Sequence, residues 1–144
     1  MDSIKLNTGE KRISINDDPD KVIVFNPNDR LFIDKFYNLI HELQEKAQEF
    51  EKRESELLKN TEVDEFGAPL NFQEVINLQK EMCEYLRERI DYVFGIGTSQ
   101  TVFGEYLNPY TILEFLEQVS PLVKVARAEK IAKYTKHPNG GVMK

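Results

Sequence analysis

Residues able to carry chemistry are few in this chain of 144, and their spacing brings none of them together. The stretch Gly95-Ile96-Gly97-Thr98 comes nearest to a phosphate-binding loop. Such loops follow a strand and carry either a third glycine or a Lys-Ser/Thr pair. This one follows a helical pattern and has neither, so it reads as a tight helix-to-helix connection whose glycines supply positive φ. Carboxylates are abundant, but Glu45, Glu49, Glu56, Glu81, Glu84 and Glu88 recur at helical spacing on outward faces. Acid/base catalysis needs carboxyl groups that converge in a sheltered pocket, and this spacing does not enforce convergence. Glu54 is the exception, since it falls on an apolar stripe; it is expected to pair with a basic residue or to face an oligomer seam. The histidines, His41 and His137, have no nearby partner for a triad or a metal. Cys83 lies on an apolar face and reads as a core thiol rather than a nucleophile. As the one cysteine it excludes an intramolecular disulfide and a Cys-based zinc cluster. No catalytic, cofactor-binding or metal-ligating residue is assigned, and the chain is read as a non-enzyme.

Charge narrows the partners. The net charge is -6, unevenly distributed. Residues 31–94 hold eight Lys/Arg against fifteen Asp/Glu, whereas residues 124–144 hold six Lys/Arg and only Glu129. A basic end can serve as a nucleic-acid arm, but this one lacks the Arg/aromatic interleaving of single-strand binders and reads as a solvated helical face or a tail that contacts an acidic neighbour. No apolar run approaches the roughly 20 residues of a membrane span, and the start has no signal-peptide core. A protein of the cytoplasm is expected.

The elements that must position these residues are mainly α-helical, and residues 1–144 are read as one domain. Residues 1–26 alternate as short strands, Ile4 and Leu6, Ile13 and Ile15, then Val22 to Phe25, which predicts a two- or three-stranded antiparallel β-meander. Asn26 as N-cap with Pro27 in the first turn predicts a helix start, and Phe32, Phe36, Leu39, Ile40, Leu43, Ala47, Phe50, Leu57 and Leu58 share one stripe. A second helix, capped by Asn71, carries Phe72, Val75, Ile76, Met82, Cys83, Leu86, Ile90, Val93 and Phe94, interrupted by Gln79. Matching narrow stripes on two long helices imply a long αα-hairpin over residues 27–94. Residues 95–136 read as a bend followed by C-terminal helices. Thr98 or Ser99 caps one turn through Phe103, Gly104 closes it, and Asn108-Pro109 starts a helix that kinks or restarts at Pro121. Residues 137–144 read as a flexible tail.

Apolar side chains exceed what one small core must bury, above all near the bend. Phe94, Phe103, Tyr106, Leu107, Tyr110, Leu113, Leu116 and Val125 are therefore the candidate partner-binding residues, for self-association or for an amphipathic partner helix.

Several stretches also resemble a known family. These are Val24-Phe25-Asn26-Pro27-Asn28-Asp29, the run Ile90-Asp91-Tyr92-Val93-Phe94-Gly95-Ile96-Gly97-Thr98-Ser99, then Val102-Phe103-Gly104, and the closing Glu129-Lys130-Ile131-Ala132-Lys133-Tyr134. In this order, after a short sheet and a charged helical arm, they resemble the tail assembly chaperones of long-tailed (siphovirus-type) phages and prophages of Gram-positive bacteria. The resemblance implies a non-enzymatic helper in the bacterial host cytoplasm that binds the tape measure protein, keeps it soluble and assists tail-tube assembly. It also implies a homo-oligomer and contact with the major tail protein. A head-tail connector or tail terminator forming a ring is the alternative that the same elements allow.

Overall fold

In the computed structural model, residues 1–135 are described, with side chains through Val123. The fold is mainly helical: a two-stranded antiparallel sheet is followed by two long helices, a short one and a further long one. Strand β1 (Lys11–Ile15) pairs with β2 (Asp18–Phe25), Ile13 lying opposite Ile23. The turn between them places Asn16 and Asp17 at positive φ, the left-handed conformation that short polar side chains tolerate and that two-residue hairpins require. Among the described residues only two strands form. The Ile4–Leu6 segment, expected as a possible third, stays outside the sheet, with Ile4 and Leu6 both exposed.

Helix α1 (Arg30–Leu58) begins later than the Asn-Pro signal suggests. The Asn26 carboxamide accepts from Asn28 N–H, and the Asn26 carbonyl accepts from Asp29 N–H, so Asn26 to Asp29 is a turn. Pro27 is buried inside that turn, and Asp29 is the N-cap, its Oδ1 accepting from Leu31 N at 3.0 Å. α2 (Phe72–Phe94) returns antiparallel along α1, as the matched stripes require. Asn71 holds the N-cap position, but its side chain caps nothing there. Its Nδ2 instead donates to the Leu57 carbonyl at 2.6 Å, tying the end of α1 to the start of α2. Near this end Leu78 is buried in the seam, whereas Phe72 and Leu58, both placed on stripes by periodicity, are exposed.

The core runs from the sheet along the hairpin: Phe36, Leu39, Leu86 and Ile90 are fully covered, with Cys83 among them. α3 (Thr98–Phe103) and α4 (Pro109–Thr135) close the other side, α4 laying Ile112, Leu116, Val119 and Val123 against the body. α4 continues past Pro121, so the helix does not restart with Ser120 as a cap. The basic end falls mostly in this helix, where side chains beyond Val123 are not described, and the tail at 137–144 lies outside the described residues.

Candidate interaction surface

The bend between α2 and α4 carries the motif-like residues, and most of them build the turn itself. Gly95, Gly97 and Gly104 all have positive φ. Gly95, at φ +118 and ψ +146, sits where side chains are strongly disfavoured. The N-cap of α3 is Gly97 rather than Thr98 or Ser99. The exposed N–H groups of so short a helix are met from the preceding one: Asp91 Oδ1 accepts from Ser99 N at 2.8 Å, and Oδ2 from Ser99 Oγ at 3.1 Å. Arg87 closes the other end, donating to the Gly104 carbonyl at 2.8 Å and to Gln100 Oε1 at 3.1 Å. These groups are used within the connection, and nothing in it is arranged as a phosphate cradle.

The candidate partner residues divide by burial. Phe103 and Leu116 are buried, and Leu113 packs half-buried against the same core. Phe94 is the hub of an aromatic cluster, its ring 5.6 Å from Phe25, 5.4 Å from Phe32, 6.2 Å from Phe36 and 5.8 Å from Phe115. These four belong to the chain's own core rather than to an open surface. Tyr106, Leu107 and Tyr110 are about half exposed, and the side chain of Val125 lies outside the described residues. Ile96, at the apex of the bend, is fully exposed.

Tyr110 is partly committed. Its ring packs edge-on against Phe50 at 6.1 Å, and its hydroxyl donates to Glu54. Within the chain Glu54 thus accepts from Tyr110 rather than pairing with a basic residue, and Gln79 Nε2 donates to its second oxygen at 3.2 Å. The one polar residue on each apolar stripe thus meets the other, and α4 contributes the third member. Desolvation, then the bond to Glu54, pushes the Tyr110 hydroxyl up to about 12. The folded state consequently holds this proton after the unfolded chain has released it. The contribution to stability is complete below the ordinary tyrosine pKa near 10 and is lost as pH rises from there through about 12. In an ultraviolet titration of the native protein, a tyrosine fraction should ionise late, and Tyr110→Phe should reduce that fraction. Burial and the bond to Glu42 raise Tyr85 in the same direction.

A second apolar patch lies at the hairpin tip, partly on residues that periodicity places on the buried stripes. There Val63, Phe66, Leu70 and Phe72 are exposed together with Leu58, Phe66 at 87%. They sit on a defined turn: Asp64 Oδ1 accepts from Phe66 N at 2.8 Å and from Ala68 N at 3.0 Å, and Val63 bridges Pro69. For Val63, Phe66 and Leu70 only the loop's apolar composition signals the patch, because a turn has no repeat to read.

The arm between the two patches is polar. Arg53 pairs bidentately with Glu81, whose carboxyl is held below its ordinary range chiefly by that hydrogen bond. Glu42 accepts from Tyr85 and pairs with Arg89 at 3.3 Å, and Arg89 and Lys35 both lie over the Tyr92 ring. Cys83 is buried without a disulfide, and desolvation raises its thiol pKa. Among the described residues there is no group of three or more His, Cys, Asp or Glu able to hold a metal, and no helix long and apolar enough to cross a membrane. Beside the sheet lies an open cleft of about 220 Å³, between β1 and α4.

Residues 20–140 match a family of unknown function (DUF6673). No curated protein and no solved structure matches significantly.

Proposed function

The chain belongs to DUF6673, a family of unknown function, and on its own surface and motifs we propose that it is a phage tail assembly chaperone. In this reading it binds amphipathic helical segments of the tape measure protein without catalysing a reaction, and acts in the bacterial host cytoplasm. The observation that carries the reading is the exposed apolar surface at Tyr106 and Leu107, with Ile96 at the apex of the bend. Large apolar side chains displayed on a glycine-turned connection suit contact with an amphipathic partner better than they suit catalysis. The acidic arm fits the same role, since surplus charge keeps a complex with an aggregation-prone partner dispersed. Support also comes from the order of elements, which follows the resemblance to tail assembly chaperones from the short sheet to the Phe-Gly bend.

Co-expression with the tape measure protein should move that protein into the soluble fraction and allow the two to be purified together. Tyr106→Ser combined with Leu107→Ser should weaken the association by about thirtyfold or more while leaving the fold intact, because both side chains project from the core. Absence of co-purification with the native chain would end this assignment. Finding the chain at fixed stoichiometry in purified virions would replace it with the structural ring component.

A further inference from the structure

The sheet has a place for a third strand. Among the described residues, nothing pairs with the outer edge of β1. An unpaired edge is a template for strand addition unless it is blocked. Here it borders the open cleft, whose floor includes Ile13 and Ile15 from the strand and whose far wall includes Phe115, Val119 and Leu122 from α4. The edge and the cleft together suit an extended segment with two apolar residues spaced two apart.

The chain contains such a segment. Ile4 and Leu6 are 87% and 81% exposed, and alternation places both on one face of an extended strand with Lys5 on the other. Laid along β1, the segment would drop both apolar side chains into the cleft and complete the edge ladder.

Within one copy the segment is led elsewhere. Asn28 Nδ2 donates to the Thr8 carbonyl at 3.2 Å. Gly9, at φ +81, lies so close that a Cβ there would collide with the Asn28 amide. This fastening holds the chain beside the stretch that leaves β2 rather than along the outer edge of β1.

We propose that residues 3–7 of one copy add as a strand to the outer edge of β1 in a second copy, seating Ile4 and Leu6 in its cleft. The exchange is a form of β-augmentation, with ladder hydrogen bonds giving affinity and the two side chains fixing register. It makes no use of Tyr106 and Leu107, so it stands or falls separately from tape measure binding.

Sedimentation velocity on the full chain across a wide concentration range should show reversible self-association. Ile4→Asp with Leu6→Asp should raise the dissociation constant at least about tenfold without changing the thermal unfolding of the dilute protein, because neither side chain is in the core. A persistently monomeric native chain overturns the proposal, as does self-association that ignores this double substitution. Mixing Leu6→Cys chains with Leu122→Cys chains under oxidising conditions should give a disulfide between copies. If a chain carrying both substitutions instead closes the bond within itself, the segment occupies its own cleft and the exchange is refuted.

Discussion

Replacing Phe94 by alanine is expected to destabilise the protein by about 3–4 kcal/mol, enough to remove a large part of the stability of an ordinary domain. The ring is only half-buried, which by area alone would suggest less. Its position raises the cost: it is the shared neighbour of Phe25 on the sheet, Phe32 and Phe36 on α1, and Phe115 on α4. Edge-to-face pairs each add about 0.5–1.5 kcal/mol beyond area burial, and deletion here breaks several together. The cavity would open where strand, hairpin and last helix meet, so relaxation of one element cannot fill it. Urea unfolding of Phe94→Ala against the native chain measures the loss directly. A loss below about 1 kcal/mol, comparable with an exposed side chain, would return Phe94 to the candidate surface. Tyr106→Ser supplies the contrast, because its ring is half exposed and joins none of the aromatic pairs of the core.

That division between Phe94 and Tyr106 marks what sequence could and could not resolve. The long hairpin was legible because two windows of more than twenty residues each repeat the helical period, and few alternatives satisfy so many positions. The bend was legible from Gly95, Gly97 and Gly104, whose positive φ the structure requires. Which bend aromatics are covered was not legible, because burial of Phe94, Phe103 and Leu116 depends on where α4 crosses α2, a tertiary fact without a local period. The start of α1 was misplaced for a local reason. An Asn-Pro-Asn-Asp run can make either a helix cap or a turn, and hydrogen bonding from Asn28 and Asp29 to Asn26 selects the turn. One signal was available and missed. Glu54 and Gln79 are the polar breaks in their stripes and lie at similar distances from the hairpin tip, so antiparallel pairing brings them together.

The same seam makes Cys83 a reporter of global opening. In the native protein its thiol should react with an aromatic disulfide reagent at least about a thousandfold more slowly than in the urea-unfolded chain. Two effects act in the same direction. The side chain has no exposed surface, and desolvation raises its pKa, with Arg87 opposing that rise and Glu84 adding to it. Thiolate is the reacting species, so both access and ionisation favour the unfolded chain. Cys83 lies in the middle of α2 among Met82, Leu86 and the buried face of α1, and fraying at the hairpin tip does not expose it. Its labelling rate at low reagent concentration should therefore equal the intrinsic rate multiplied by the unfolding equilibrium constant. Phe94→Ala should then accelerate labelling by about a hundredfold, the rate equivalent of roughly 3 kcal/mol. Tyr106→Ser should leave it nearly unchanged. Rapid labelling of the native chain would mean that the hairpin opens locally around α2, and the seam would then be a binding groove rather than a core.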